Sequence, residues 1–352
     1  MFVVSLLVLP AVVAFLTSLV AVPFFIKFCS RVGVTAIDQQ KRNKPTLPTS
    51  GGLPVACGFF LGIMVFVGLT TFVSGAIDLT LVLAAVLSTL VIAIIGFVDD
   101  VYVGKQKQRD ISGGLEYRIG LPQWAKPLLV LPAAIPLVAV SAGDSTVLLP
   151  LLGSVNFGVF YPLLIVPLAV IFVSNATNML AGLNGLEAGL GFIASTTLGV
   201  FCVVNQRWEA AALSFSSAAA TLGFLRYNWT PARMLPGDSL TYFAGGAFVS
   251  AVIIGNVERF AIVIFLPWIV EFLLKLRAGF KARSYGDLQP DGTLIAPYRD
   301  KIYSLTHIAM KLPYWLGLRK GFTETQATGV LLLGELVLCI AALLFYGSFG
   351  YA

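Results

Sequence analysis

The chain has 352 residues, of which 58% are hydrophobic and only 11% are charged, with a mean hydropathy of +0.90 and a net charge of +6. Soluble domains contain about a quarter charged residues, so this composition excludes a soluble globular protein. The apolar residues form long continuous runs, whereas a membrane barrel shows alternating segments of about ten residues. The sequence therefore predicts an all-α, polytopic membrane protein.

About ten transmembrane helices are predicted along the chain, separated by polar connections. They lie near 3–28, 51–74, 79–98, 126–142, 159–175, 185–204, 209–225, 239–255, 260–276 and 325–347. With both termini outside, all but two of the 23 Lys and Arg residues fall on the inner face, the exceptions being Arg207 and Arg259. This asymmetry follows the positive-inside rule and places the inner connections in the cytoplasm.

The two sets of connections differ in content. The outer ones are short, except near 143–158, where turn residues between two apolar stretches predict a small hairpin. The inner ones carry most of the unusual polar residues and include the long cytoplasmic loop 277–324. We therefore expect one integral-membrane domain, 1–352, with its active site on the cytoplasmic face. The basic face suits anionic lipids and substrates, and no nucleic-acid partner is expected because no groove-reading motif is present.

Two adjacent carboxylates, Asp99 and Asp100, end the third predicted span at the inner interface. Adjacent acids repel one another and, when partly desolvated, need a cation or a nearby lysine to stay ionised. The pair predicts a site for a divalent metal or for phosphate chemistry. A solvated helix end is the alternative, although acids at a helix C-terminus oppose the helix dipole.

Amides and a third carboxylate follow on the same face. The fifth span runs into Asn175, Asn178 and Asn184, whose amide oxygens suit Mg²⁺ and whose amide edges suit a nucleobase, with interhelical hydrogen bonding as the alternative. Asp238 lies at the start of the eighth span, where it either caps that helix or contributes to a site with the Asp pair. Three carboxylates and several amides on one face predict a site for one divalent metal.

The loop 277–324 is basic and contains Arg283 and the single histidine, His307. A planar guanidinium can bind a diphosphate bidentately. A histidine in a polar loop is not explained by packing against apolar neighbours. Both residues are predicted to contact substrate. For any one of these charges, the alternative is the positive-inside signal.

Taken together, these motifs resemble those of the polyprenyl-phosphate N-acetylhexosamine-1-phosphate transferases. The match rests on 96–100, 175–189 and 237–245, in this order and spacing. Within that family the motifs look most like the eukaryotic and archaeal branch that uses UDP-N-acetylglucosamine and dolichyl phosphate, in the first membrane step of N-glycan assembly. The bacterial branch that uses UDP-muramyl pentapeptide has clustered histidines in its last inner loop, where this chain has only His307.

The resemblance implies a role for each candidate residue. Asn178 and Asp238 would hold Mg²⁺, with Mn²⁺ as a substitute, and Asp99 and Asp100 would line the reaction centre. The remaining assignments are Lys126 beside the acceptor phosphate, Asn184 at the uracil, and Asn175, Arg283 and His307 in substrate binding.

The implied reaction is attack by a polyprenyl or dolichyl phosphate on UDP-N-acetylglucosamine, which gives lipid-diphosphate-N-acetylglucosamine and UMP. The partners would be these two substrates and the bilayer of a plasma or ER-type membrane. Alternatives stay open: the same reaction with another UDP-N-acetylhexosamine or with undecaprenyl phosphate, and an ion-coupled transporter whose acids bind the coupling ion. The oligomeric state is also open, with a homodimer as one alternative.

Overall fold

The computed structural model describes residues 2–74, 77–102, 106–109, 116–119, 122, 124–149 and 153–349. Most of this part of the chain is helical, and within it six helices are long and apolar enough to cross a membrane. They are Leu6–Val32, Gly52–Val73, Leu79–Tyr102, Leu186–Val204, Gly237–Gly255 and Glu324–Tyr346. The chain is therefore a helical membrane protein.

Thirteen α-helices lie in the described ranges. They are α1 Phe2–Val32, α2 Gly52–Leu69, α3 Leu79–Tyr102, α4 Ala125–Val130, α5 Ile135–Ala139, α6 Val166–Thr177, α7 Leu186–Val204, α8 Trp208–Asn228, α9 Gly237–Gly255, α10 Glu258–Ile264, α11 Leu266–Arg277, α12 Leu305–Trp315 and α13 Glu324–Phe349. Each predicted span coincides with one helix or with a neighbouring pair, α4 with α5 and α10 with α11. Only six of these positions have a single helix that meets the length and apolarity of a membrane crossing.

The expectation of an all-α chain is wrong in one respect, because four antiparallel hairpins connect the helices. They are β1 Thr35–Ile37 with β2 Thr46–Pro48, β3 Gln106–Arg109 with β4 Glu116–Ile119, β5 Thr146–Leu149 with β6 Gly153–Asn156, and β7 Asp287–Leu288 with β8 Leu294–Ile295. The hairpin predicted within 143–158 is confirmed as β5 and β6. The other strands are two to four residues long, which is too short for an alternating pattern to be visible in the sequence.

Small residues let the helices approach one another closely. α1 packs along α2 and α8, α3 along α9, and α7 along α8. A Cβ added at Gly58 or Gly62 of α2 would lie 2.5 or 2.7 Å from a backbone carbonyl oxygen of α1, as in other small-xxx-small contacts between membrane helices. A Cβ at Gly96 would lie 2.5 Å from the carbonyl oxygen of Asp238. The end of α3 and the start of α9 are therefore in direct contact.

Helix α12 lies inside the predicted loop 277–324 and was not anticipated. It begins at Leu305 and is capped by Ser304, whose side chain accepts a hydrogen bond from the backbone N–H of Thr306. Thr306 and His307 are fully buried on one side, whereas Trp315 is largely exposed at the end of the helix. The helix is short and amphipathic, and charged residues surround it. Its helical spacing of apolar residues was therefore not recognised in the sequence.

Candidate active site

Three charged side chains meet where α3, α4 and α9 converge. The Nζ atom of Lys126 lies 2.5 Å from Oδ2 of Asp99 and 2.7 Å from Oδ2 of Asp238. Asp99 is 1% exposed, and the carboxylate of Asp238 is within hydrogen-bond range of the side chains of Asp99 and Asn178. One ammonium group thus bridges two carboxylates that would otherwise repel one another in a low dielectric. We call Asp99, Lys126, Asp238 and Asn178 the Lys126 cluster.

Asp100 faces a different set of atoms from its neighbour Asp99. Its Oδ1 accepts from the backbone N–H of Asp238 at 2.7 Å, and its Oδ2 accepts from the hydroxyl of Ser50 at 2.8 Å and the N–H of Ser239 at 3.2 Å. These N–H groups belong to the first turn of α9, which has no internal acceptors to satisfy them. Asp100 therefore caps α9 from another helix, and its partners differ from those of Asp99, with which the sequence grouped it.

Gly237 makes this cap geometrically feasible. Its φ of +66° lies in the left-handed region, and an added Cβ would lie 2.5 Å from Oδ2 of Asp100. A side chain at this position would be strained and would also displace the carboxylate from the helix end. The carboxylate of Asp238 is consequently left to pair with Lys126 and does not cap its own helix.

The two amides at the end of α6 differ in their partners. The Oδ1 atom of Asn178 accepts from the hydroxyl of Thr241 at 3.0 Å, and its side chain reaches Asp238. Asn175 donates to the carbonyl oxygen of Ile171 in its own helix at 2.8 Å and accepts from the hydroxyl of Tyr242 at 3.4 Å. Asn178 is thus part of the Lys126 cluster, whereas Asn175 lies beside it and is held within α6.

The oxygens of the Lys126 cluster fit a hard divalent cation. Mg²⁺ is usually bound by one or two carboxylates while its other positions are taken by water or substrate phosphates. Asp99, Asp238 and the amide oxygen of Asn178 supply that kind of donor set. Within the described ranges, no group of three or more carboxylate, histidine or cysteine side chains encloses a common point. A metal here would accordingly depend on phosphate oxygens for part of its coordination.

A second lysine cluster surrounds Asn184. Its Nδ2 donates to Oδ2 of Asp38 at 2.9 Å, and its backbone N–H donates to Oε1 of Glu324 at 2.8 Å. Lys41 forms an ion pair with Glu324 and lies 3.6 Å from Asp38. We call Asp38, Lys41, Asn184 and Glu324 the Lys41 cluster. It joins the β1–β2 hairpin, the α6–α7 loop and α13.

Arg283 and His307 form a third group on the α11–α12 side. The guanidinium of Arg283 pairs with both carboxylate oxygens of Asp287 at 2.8 and 3.0 Å and lies over the ring of Tyr285. The ring of His307 is fully buried, with Nδ1 accepting from the N–H of Tyr303 and Nε2 lying 2.9 Å from the carbonyl oxygen of Arg283. Burial lowers the pKa of His307 to about 4. A neutral ring whose two nitrogens both contact the backbone supports this segment, and the substrate contact of His307 stays a prediction.

The α6–α7 loop borders all three groups. It begins at Asn178 in the Lys126 cluster and reaches Asn184 in the Lys41 cluster. Between them, the carbonyl oxygen of Gly182 accepts from Gln40, and a Cβ built on Gly182 would lie 3.9 Å from the side chain of Ser284, next to Arg283. The predicted residues thus surround one loop and make three sets of direct contacts: within the Lys126 cluster, between Asp100 and Asp238, and between His307 and Arg283.

Sequence reasoning missed Asp38, Lys41, Ser50 and Glu324. The density of polar residues in 38–44 was the available signal, but cations there were attributed to the positive-inside pattern. Glu324 immediately precedes a predicted span, where an acid is expected simply from the helix dipole. Their partners lie far away in the sequence, so only the fold identifies them.

Comparisons with known proteins identify the family of this chain. Residues 82–256 match the profile of glycosyl transferase family 4. The chain is similar to the candidate UDP-N-acetylglucosamine–dolichyl-phosphate N-acetylglucosaminephosphotransferase of Saccharolobus solfataricus, with 31% identity over 308 residues, 87% of this chain and 88% of that protein.

Two further relatives match a smaller share of the chain. The UDP-N-acetylglucosamine–dolichyl-phosphate N-acetylglucosaminephosphotransferase of Dictyostelium discoideum is 27% identical over 294 residues, covering 72% of this chain and 67% of that protein. The phospho-N-acetylmuramoyl-pentapeptide-transferase of Halalkalibacterium halodurans is 30% identical over 277 residues, covering 76% and 80%.

Proposed function

The chain belongs to glycosyl transferase family 4, and from this membership we propose that it transfers N-acetylglucosamine-1-phosphate from UDP-N-acetylglucosamine to a polyprenyl or dolichyl phosphate. An oxygen of the lipid phosphate attacks the β-phosphorus of the UDP-sugar. The bond from that phosphorus to the bridging oxygen breaks, and UMP leaves with the bridging oxygen. The products are lipid-diphosphate-N-acetylglucosamine and UMP.

The observation that carries this proposal is the Lys126 cluster. Two anionic phosphates must approach each other for the reaction, so the main barrier is electrostatic. Lys126 supplies a positive charge at the meeting point of α3, α4 and α9, and Asp99 and Asp238 hold its Nζ in place. A phosphate monoester is already largely dianionic near pH 7, because its second pKa is about 6, so it needs no obligatory general base. Asp99 accordingly orients Lys126 and does not need to remove a proton.

Asp238, Asn178 and Asp99 are proposed to hold Mg²⁺. The bound ion would neutralise phosphate charge and polarise the phosphoryl oxygens. In this arrangement Lys126 is the group that faces the acceptor phosphate. Arg283 is proposed to bind the donor diphosphate, because a planar guanidinium can donate two parallel hydrogen bonds to phosphate oxygens.

The lipid chain of the acceptor needs an apolar channel that leads away from the charged residues. A cavity of about 330 Å³ lies between α6, α9, α10 and α11 and is lined almost entirely by apolar side chains. Phe172 and Val173 line it, less than two turns of α6 before Asn178. An isoprenoid chain in this cavity would lie with its phosphate close to the Lys126 cluster.

We further propose that the chain crosses the membrane ten times, with the Lys126 cluster on the cytoplasmic side. The coincidence of every predicted span with a helix supports the count, and the basic residues of the inner connections support the orientation. The shorter helices α4 with α5 and α10 with α11 would each form one crossing as a pair. A cytoplasmic site would draw its nucleotide-sugar from the cytosol.

The second candidate is the same reaction with another UDP-N-acetylhexosamine or with undecaprenyl phosphate. A similarity of 28% identity over 263 residues to the undecaprenyl-phosphate N-acetylglucosaminyl 1-phosphate transferase of Bacillus subtilis supports the undecaprenyl option. A muramyl-pentapeptide donor is disfavoured, because the histidines typical of that branch are absent from the loop 277–324 and His307 is buried.

The test is UMP release by the purified protein from labelled UDP-N-acetylglucosamine and a short dolichyl phosphate, with and without Mg²⁺. We expect UMP only when both substrates and the metal are present. Parallel reactions with undecaprenyl phosphate and with UDP-N-acetylgalactosamine determine the preferred acceptor and sugar. Counterflow uptake in vesicles without UMP release would instead identify a transporter and reject the proposal.

A further inference from the structure

The segment that carries Arg283 is held by an unusual set of hydrogen bonds. Residues 281–286 form neither helix nor strand. Three successive carbonyl oxygens nevertheless have side-chain partners: Lys275 Nζ at 2.8 Å from Ala282, His307 Nε2 at 2.9 Å from Arg283, and Thr306 Oγ1 at 2.6 Å from Ser284. We call these three bonds the carbonyl clamp.

The clamp donors are themselves fixed. Lys275 is buried and also donates to the hydroxyl of Ser284 at 2.6 Å, while Glu271, one turn earlier on α11, lies 3.7 Å from its Nζ. The other oxygen of Glu271 accepts from the N–H of Leu305 at 2.7 Å, which anchors the start of α12 to α11. Thr306 and His307 occupy the first turn of α12, so both helices hold the segment as one unit.

Burying the polar side chains of a lysine, a histidine and a threonine costs free energy unless each of them is hydrogen-bonded. An irregular buried segment needs a partner for each carbonyl oxygen, and an unmet oxygen destabilises the fold. Regular strand pairing would satisfy these atoms with backbone donors alone. The chain instead uses a buried lysine, a buried histidine and a buried threonine, which hold Arg283 at one defined position in the segment.

We propose that Lys275, Thr306 and His307 are positioning residues that aim the guanidinium of Arg283 at the donor diphosphate. This inference rests on the proposed function, in which Arg283 binds that diphosphate. The segment lies against the α6–α7 loop near Gly182, so a shift of its backbone would move Arg283 relative to the Lys126 cluster. The clamp therefore governs donor binding and leaves acceptor binding unaffected.

Thr306 offers a matched pair of variants. Thr306→Val removes the hydroxyl donor at nearly constant volume, whereas Thr306→Ser keeps it. Loss of a buried hydrogen bond to a carbonyl oxygen predicts that Thr306→Val raises the KM for UDP-N-acetylglucosamine about tenfold. The KM for the lipid phosphate is expected to stay within about twofold of wild type, and Thr306→Ser is expected to restore the donor KM.

A double-mutant cycle distinguishes positioning through Arg283 from general loosening of the fold. In an Arg283→Ala background, Thr306→Val is expected to change the donor KM by less than about twofold, because the group it positions is gone. Persistence of the tenfold effect in that background would overturn the proposal. Equal donor KM values for Thr306→Val, Thr306→Ser and the wild type would overturn it as well.

Hydrogen exchange tests the clamp without relying on activity. The N–H of Arg283 points at the hydroxyl of Tyr298 at 3.3 Å, so its exchange reports on the segment. We expect faster exchange in Thr306→Val and in His307→Phe, and near-wild-type exchange in Thr306→Ser. Unchanged exchange in both of the first two variants would refute the clamp. If the wild type releases no UMP while exchange behaves as expected, the proposed function fails and the clamp stands.

Discussion

The Lys126 and Lys41 clusters have the same composition and different surroundings. Each contains one lysine, two carboxylates and one asparagine amide. In the Lys41 cluster, Glu324 accepts a hydrogen bond from the backbone N–H of Asn184, and Asp38 accepts one from its side-chain amide. The lysine pairs with both acids in each cluster, but in the Lys126 cluster the contacts join side chains, Lys126 with both acids and Asp238 with Asn178. The first arrangement joins three segments of backbone, whereas the second concentrates charge at one point.

The comparison shows that composition does not separate a structural ion pair from a reactive one. A carboxylate that accepts backbone N–H groups is committed to the fold, as Asp100 is at the start of α9. A carboxylate that pairs only with mobile side chains can exchange that partner for a metal or a phosphate-bound cation. We therefore assign chemistry to the Lys126 cluster and architecture to the Lys41 cluster.

The largest expected effect comes from Asp238→Asn, which keeps the size of the side chain and removes its charge. Loss of a metal ligand and of one partner of Lys126 is expected to lower kcat about a thousandfold. The fold should persist, because Asp238 does not cap α9. UMP release and the melting temperature in detergent measure the two effects. Asp300→Asn, at an exposed position of the loop 277–324, is the matched control, and loss of activity in both variants would contradict the assignment.

Asp100→Ala is expected to act mainly on stability. It leaves two N–H groups of α9 and the hydroxyl of Ser50 without their acceptor, at a cost of about 1–3 kcal/mol. Activity should fall along with the folded fraction and recover at lower temperature. Thermal unfolding compared with Asp99→Asn provides the measurement. A stable Asp100→Ala protein with no activity would mean that Asp100 belongs to the reactive cluster.

Glu324→Gln probes the structural side of the comparison. The amide oxygen can still accept from Asn184, but the ion pair with Lys41 is lost, so we expect destabilisation by about 1–3 kcal/mol. The kcat should remain within about threefold of wild type, since the Lys126 cluster is intact. A thousandfold loss of kcat in a protein of unchanged melting temperature would reverse the roles of the two clusters.

The smallest effect concerns pH. Burial, with smaller contributions from Lys275, Lys311 and Arg283, lowers the pKa of His307 from its ordinary value of 6.5 to about 4. Between these values the unfolded chain binds a proton that the folded chain excludes, so stability is present above 6.5 and is lost as the pH falls towards 4. The loss can reach about 3 kcal/mol. Melting temperatures across this range should fall less steeply in His307→Phe, and identical slopes would contradict the buried neutral ring.

The helices could largely be predicted from the sequence, because a continuous apolar run of about 20 residues is long enough to cross a bilayer as a helix and rarely forms another structure. The resemblance also grouped Asp99, Asp100, Lys126, Asn178 and Asp238 around the reaction, and the structure brings all but Asp100 into the Lys126 cluster. Neither the sequence pattern nor the resemblance could predict which groups each of these side chains contacts. In the sequence, Asp100 cannot be distinguished from Asp99. The two differ because Asp100 contacts the start of α9, at Asp238, which follows it by 138 positions in the chain.

The contacts of Asn184 and His307 could not be predicted from the sequence, for one shared reason. The side chain of Asn184 meets Asp38, which lies 146 positions away, and that contact depends on the β1–β2 hairpin. His307 was placed in a polar loop, but the loop folds into α12 and buries the ring. Local polarity is identical for a substrate contact and a buried support, so only the tertiary packing distinguishes them.

The most direct test of the central claim is Mn²⁺ binding in the presence of UDP, measured by electron paramagnetic resonance on the wild type, Asp238→Asn and Glu324→Gln. Removal of one charged ligand is expected to weaken Mn²⁺ binding at least about tenfold in Asp238→Asn. Glu324→Gln is expected to bind as the wild type does. Wild-type binding by Asp238→Asn together with loss of binding in Glu324→Gln would place the metal in the Lys41 cluster and contradict the account.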